Sequence, residues 1–442
     1  MNPDLLADTT SEHFLVNANS ETVSGWSTLL IITLIIIWIA RKNPETKNFL
    51  FVALFLRSFA LIIDQYLFPL PGSMMDGWSF EHKAMDFSQK YGFSIIYQLD
   101  VGSSYFLSVL MSILYTLLDT RSPMMLNAVS VGIGTGSVYL IYRLAFILWG
   151  SHAAIKAGWL AALLPSLILY SAIMMREIYV VFFITYALIN CVNFINKNKI
   201  IYFIKLSFGF FIGSLFHGPI IVGLLFFLIY MFFHILKKNN YFLRFKKKNI
   251  YLLFLLPIFL LPVLAYLLGF YAIPKLGNIN NLGALKGEDQ SMVSNVQNIK
   301  ERLIWKIGKA TKGSYGLKTG AQFPSWTVPE NMIEIIYLTP IRIGYFLYAP
   351  FPWDIKRSSH LMGLLDGIFY IYLSFCILRN RKALYKNPQT RFLIIILIMF
   401  LTIYSFGVGN FGTSIRHRVK FIGIFIAIAA PVIARIKLKK IK

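Results

Sequence analysis

The sequence predicts an all-α protein threaded many times through a lipid bilayer. Three observations carry that prediction. The chain is 57% hydrophobic and only 14% charged, with a mean hydropathy of +0.63. Apolar segments of about 20 residues, the length that crosses a bilayer, recur along it. Between them Lys and Arg fall in short runs such as Arg41-Lys42, Lys237-Lys238, Lys246-Lys247-Lys248 and Arg381-Lys382. A soluble chain of 442 residues could bury a large core but would still need a charged surface, so the shortage of charge points to lipid as the main solvent. The formal net charge of +24 is explained by cytoplasmic loops that meet anionic headgroups, which excludes nucleic acid as the partner.

The first 25 residues carry Asp4, Asp8, Glu12 and Glu21 with no Lys or Arg, the reverse of a secretory leader, so no cleavage is expected there. Spans are expected near residues 23–40, 49–69, 125–148, 157–173, 178–195, 203–215, 220–235, 250–270, 361–378, 392–406 and 419–434. That makes about eleven, in a range of about nine to thirteen. Placing the basic runs inside puts the N-terminus outside and the C-terminus in the cytoplasm. Residues 70–122 then form a first outer loop with membrane-surface helices, and residues 103–118 lie along the surface or dip in and return. His217-Gly218-Pro219 marks a tight turn between two short spans. Residues 272–360 form a large outer region: a polar Gly/Asn-rich stretch, an amphipathic helix near 296–310, and an apolar part at 334–353 that packs in or against the membrane. No internal repeat or appended soluble domain is visible, so residues 1–442 read as one transmembrane domain. Cys191 and Cys376 sit in apolar stretches as small core residues.

On this topology Asp, His and Arg gather on the outer side. Ionisable groups near a membrane are costly unless paired, hydrated or used. The acidic feature is Asp76-Gly-Trp-Ser-Phe-Glu81-His82; Asp76 or Glu81 there, or His417 far along the chain, could take a proton from a sugar hydroxyl, while Asp76 could equally cap the helix that follows. The basic feature is Gly407-Val-Gly-Asn-Phe-Gly-Thr-Ser-Ile-Arg416-His417-Arg418, whose glycines permit close backbone approach and whose arginines offer forked donors to phosphate oxygens. It lacks the Lys-Ser/Thr ending of a nucleotide-binding loop. Arg176 is either paired with Glu177 or turned toward a substrate phosphate, and Arg342 and Arg357 lie near where a lipid phosphate would sit. His82, His217 and Trp353 are candidates to contact sugar or acceptor, with Trp353 equally at home in an interfacial aromatic belt. These features together suit transfer of a sugar from a polyprenyl-phosphate or polyprenyl-diphosphate carrier, without a nucleotide-sugar pocket. A transporter or flippase is the other class that such charges could serve.

Residues 75–84, the stretch from Asn127 through Tyr142-Arg143 to Trp149-Gly150, and the run Ala157 to Ser171 containing Pro165 resemble the N-terminal half of polytopic GT-C glycosyltransferases of the protein-mannosyltransferase and aminoarabinose-transferase type. The resemblance covers residues 50–230. It implies a polyprenyl-phosphate sugar donor and an acidic residue of the first outer loop near the acceptor, which falls on Asp76. The family commonly shows an Asp-Glu pair where this chain has Asp76-Gly77, so a metal role is weakened: no metal ligands are assigned, and a divalent ion is left open. Over 340–430, Ala349-Pro-Phe-Pro-Trp353 and Gly412-Thr-Ser-Ile-Arg416-His-Arg418 resemble bacterial inner-membrane proteins of exopolysaccharide or O-antigen assembly, among them repeat-unit polymerases. That resemblance makes such a polymerase the runner-up reading and other polysaccharide-assembly proteins candidate partners.

Overall fold

The computed structural model describes residues 19–98, 105–237, 321–355 and 358–435. Among them every regular element is helical, and the only extended pairing is an isolated bridge between Gln322 and Asn410. In chain order the helices are α1 (Asn19–Lys42), α2 (Lys47–Tyr66), α3 (Trp78–Tyr91), α4 (Phe106–Leu118), α5 (Pro123–Trp149) and α6 (Ser151–Leu163). There follow α7 (Pro165–Ala172), α8 (Arg176–Lys197), α9 (Ile200–Phe216), α10 (Val222–Lys237) and α11 (Met332–Tyr348). The last are α12 (Ser358–Arg379), α13 (Arg381–Lys386), α14 (Pro388–Gly407), α15 (Phe411–Arg418) and α16 (Ile422–Ile433).

Six of these are long and apolar enough to cross a membrane: α1, α2, α5, α8, α12 and α14. The bent pair α6–α7, broken by 57°, would make a seventh. The described helices therefore do not reach the expected count of about eleven. Residues 250–270 lie outside the described residues, as does the expected helix near 296–310. The segments expected at 203–215 and 220–235 form α9 and α10, of 17 and 16 residues. At 1.5 Å per residue, α4, with 13 residues, reaches about 20 Å against a hydrocarbon core of about 30 Å. Trp26, Leu30, Leu34 and Trp38 leave an exposed apolar stripe at four-residue spacing along α1, as a lipid-facing surface requires.

The chain divides into two compact units. Unit 1 is Met1–Ile189, Leu215–His217 and Val419–Lys442. At its centre α5 packs against α1, α2, α6, α7 and α16. Close approach depends on small residues: a Cβ at Gly158 would lie 2.8 Å from the Phe49 ring, and one at Gly134 would collide with Ser171. The break between α6 and α7 follows from Pro165, which has no N–H to give the Ala161 carbonyl one helical turn back. Arg57, fully buried within the span α2, supplies donors instead. Its Nη2 donates to the Ala161 oxygen at 3.2 Å, and Nη1 donates to Ala162 at 3.2 Å and to Ala53 at 3.1 Å.

Unit 2 is Asn190–Ser214 and Gly218–Arg418. Phe194, Phe203, Phe227 and Phe392 pack ring against ring to join the end of α8 with α9, α10 and α14. A second group of helices, α11, α12, α14 and α15, is held by two buried arginines that cap helix ends. Arg342 of α11 donates from Nε to Ser405 O at 3.0 Å and from Nη2 to Val408 O at 2.7 Å, closing the end of α14. Its Nη1 donates to Thr327 O at 3.0 Å. Arg418 of α15 donates from Nη1 to Leu347 O at 2.7 Å and Ala349 O at 2.8 Å, closing the end of α11. It also donates from Nη2 to Gly363 O and from Nε to Asp366 Oδ2, both at 2.8 Å.

Candidate functional site

In unit 1 the turn that carries Asp76 is built from α2 outward. Asp64, at the end of α2, accepts from the Leu70 amide at 2.7 Å and from the Ser73 hydroxyl at 2.8 Å. Those bonds fix the 70–73 corner, where Gly72 takes a left-handed φ of 95°. From it rises a single π turn, Ser73–Gly77, closed by Gly77 N–H donating to Gly72 O at 3.1 Å. Asp76 sits half-buried on this turn just before α3 begins. A Cβ on Gly77 would lie 3.4 Å from Gly72 O and 3.8 Å from Met174 O. The Asp76 turn therefore packs against the 173–175 segment that leads into α8. These are ordinary contact distances, so the turn and the segment touch without a clash that would demand glycine at 77.

Arg176, the first residue of α8, is half-buried, with its guanidinium carbon 5.9 Å from the centre of the Phe80 ring. Phe80 lies four residues beyond Asp76. The Arg176 Nε is shielded from solvent and has no hydrogen-bond partner among the described residues. The expected Arg176–Glu177 pair is not formed. Glu177 instead faces Lys420, Nζ to Oε1 3.8 Å, with both side chains fully buried. The structure thus brings Asp76 and Arg176 to one corner of unit 1.

Glu81 does something different. Its Oε1 accepts from Tyr115 Oη at 2.8 Å and from Arg121 Nε at 3.0 Å, and its Oε2 accepts from Arg121 Nη2 at 2.8 Å. This bidentate clamp ties α3 to α4 and to the link before α5. The carboxylate is buried and both oxygens are engaged, an anchor's geometry rather than a proton acceptor's. The bonded carboxylate raises the Arg121 guanidinium above its ordinary value, and burial holds the Tyr115 phenol well above its own. His82 stacks on Trp78 at 4.8 Å, and its Nδ1 is shielded without a hydrogen-bond partner among the described residues. His217 is half-buried beside Phe216, whose ring stacks on Tyr179 at 5.0 Å and meets Phe106 edge-on at 5.1 Å.

In unit 2 the basic stretch does not form a loop cradle. Asn410 caps α15, its Oδ1 accepting from Thr413 N at 2.8 Å, and Phe323 N donates to Gly409 O at 2.8 Å beside the Gln322–Asn410 bridge. The phosphate roles expected for Arg342 and Arg418 meet a physical obstacle. Both side chains are fully buried, with their donors directed at carbonyl oxygens and Asp366. Burial lowers the Arg342 guanidinium to about 10, which still leaves it charged at neutral pH. Arg416 and His417 are half-buried, with His417 5.5 Å from the Tyr404 ring. Trp353 is 75% exposed and stacks on Phe351 at 5.0 Å. Arg357 lies outside the described residues.

Three structural residues escaped the sequence reading: Arg57, Asp366 and Lys420. All three are charges inside expected spans, Asp366 and Lys420 each the only charged residue of its span, and that placement is the signal that could have found them. Among the described residues no three His, Cys, Asp or Glu side chains converge as a metal-ligand set. No protein-family model matches the chain, and no curated protein matches it.

Proposed function

We propose that this chain is a membrane glycosyltransferase of GT-C-like architecture, with about eleven spans, that moves a sugar from a polyprenyl-phosphate carrier to a cell-envelope glycan. The reading places it in a bacterial inner membrane with the Asp76 turn on the outer face. The observation that supports it best is the corner where the Asp76 turn packs on the segment leading to Arg176. An acceptor hydroxyl there would attack the anomeric carbon while its proton passes to the Asp76 carboxylate. The bond between the anomeric carbon and the phosphate oxygen breaks with inversion, and the electron pair leaves on the lipid phosphate. Arg176 and the N-terminal end of α8 would stabilise that developing charge. In unit 2 Arg416, His417 and Trp353 remain candidates, as does Arg357 outside the described residues, while Arg342 and Arg418 have structural work.

One observation favours a second class. The 57° break between α6 and α7 is a discontinuous helix pair of the kind that lines transport sites. Against it, Arg57 at that break is directed at carbonyl oxygens. The test is transfer by purified protein from a short-chain polyprenyl-phosphate sugar to a glycan acceptor. Asp76→Asn should lower kcat by roughly 10²–10⁴-fold with the thermal midpoint unchanged. Full activity in Asp76→Asn would sink the base assignment. Chain growth only from diphosphate-linked oligosaccharides would instead identify a repeat-unit polymerase.

A further inference from the structure

The face of α3 turned away from the Glu81 clamp has no role in the chemistry above. The inner face is settled: Phe80, Glu81 and Ala84 are buried, Ser108 Oγ donates to Phe80 O at 2.7 Å, and Ser88 and Thr116 share a hydrogen bond of 3.0 Å. The opposite face carries Lys83, Asp86, Phe87 and Lys90 at three- and four-residue spacing, flanked by Gln89 and Tyr91. These six residues line an open cavity of about 580 Å³, within the size range of small-molecule sites.

Its chemistry is mixed. Lys83 pairs loosely with Asp86 at 3.5 Å, both about half exposed, and the Lys90 ammonium sits 5.1 Å from the Tyr91 ring. Phe87 and Tyr91 lie 6.3 Å apart and offer an aromatic wall. Two ammonium groups against one carboxylate leave a net positive charge, and the Gln89 amide adds two donors. Aromatic surface for the C–H face of a pyranose, with N–H donors in excess, suits a sugar that bears a carboxylate. By helical rise Lys83 lies about 10 Å and Tyr91 about 22 Å along the chain direction from Asp76, a span that a chain of several sugar rings can cover.

We propose that this face of α3 binds an anionic glycan containing uronic acid residues. The binding claim stands on the cavity alone; the further claim that this glycan is the acceptor rests on the transferase reading above. The two fail separately when binding is measured without turnover. The full chain in phosphatidylcholine nanodiscs is titrated with tetragalacturonate and with maltotetraose. Tetragalacturonate should bind, maltotetraose should bind at least roughly tenfold more weakly, and Lys83→Ala/Lys90→Ala should erase the difference while Lys83→Arg/Lys90→Arg keeps it. Asp76→Asn should leave the binding untouched. Equal affinity for both sugars, or tetragalacturonate binding unchanged in the double alanine variant, overturns the proposal. So does lysine-dependent binding of phosphatidylglycerol vesicles without tetragalacturonate binding, which would make the cavity a lipid headgroup site.

Discussion

If Arg57 supplies the donor that Pro165 lacks, then restoring that donor makes Arg57 partly dispensable. In the wild type the guanidinium reaches Ala161 O and Ala162 O, both at 3.2 Å, across the break between α6 and α7. Arg57→Met leaves two buried carbonyls short of a donor at about 1–3 kcal/mol each, offset by release of a buried cation that forms no ion pair among the described residues. The net effect of that single change is therefore a poor measure of the bond. The coupling with Pro165→Ala is a good one, because alanine returns an N–H to Ala161 O.

Four proteins answer the question: wild type, each single variant and the double variant, unfolded in mixed micelles by a denaturing detergent. Pro165→Ala in the wild-type background should gain little, since the carbonyl already has a partner. In the Arg57→Met background it should recover about 1–3 kcal/mol, the value of one buried carbonyl. Additive effects within about 0.5 kcal/mol would refute the reasoning and leave Arg57 with some other role.

Arg418→Lys tests the capping role in unit 2. One ammonium group cannot reach Leu347, Ala349, Gly363 and Asp366 together, so stability should fall by about 3–5 kcal/mol in the same unfolding assay, whereas a phosphate ligand at an aqueous site would lose activity with its unfolding midpoint intact. Tyr115 gives a pH dependence with a defined sign. Its folded pKa is raised above the ordinary 10.0 by burial, so the unfolded chain releases this proton first and the Tyr115 contribution is full below pH 10 and lost as pH rises above it. Stability should therefore fall as pH rises from 9 to 11, and Tyr115→Phe should remove that component from the slope.

The helical class and the membrane character were legible because both follow from bulk properties. Apolar segments of spanning length and a shortage of charge survive any error in element ends, and α1, α2, α5, α8, α12 and α14 fall where hydropathy put them. The break at Pro165 was missed because a run of apolar residues from 157 to 173 reads as one span, and a proline inside such a run can be kinked and repaired by a neighbour that hydropathy does not register. The partners of charged residues were illegible for a related reason. Glu177 was read with its neighbour Arg176, but successive helical residues point about 100° apart, and its partner is Lys420, from a distant part of the chain.

The arginines show where sequence reasoning misleads in a membrane protein. An Arg near a Gly-rich turn, as Arg418, or in an apolar outer segment near the headgroups, as Arg342, looks like a phosphate ligand because access to water is assumed there. Arg342 and Arg418 are instead fully buried, where helix ends leave carbonyls that water cannot reach. A forked, always-charged donor answers several such carbonyls at once, and Arg57 does the same at an internal break. Three buried arginines with one repeated task set a rule for reading the rest. A guanidinium whose donors are directed at carbonyls holds the scaffold even where one nitrogen, as the Arg57 Nε, is shielded and lacks a partner, and one that makes no such carbonyl bonds among the described residues is the better candidate for a substrate anion. By that rule Arg176, with its Nε unpartnered among the described residues and the Asp76 turn packed beside its helix, is the arginine on which an activity assay should be spent first.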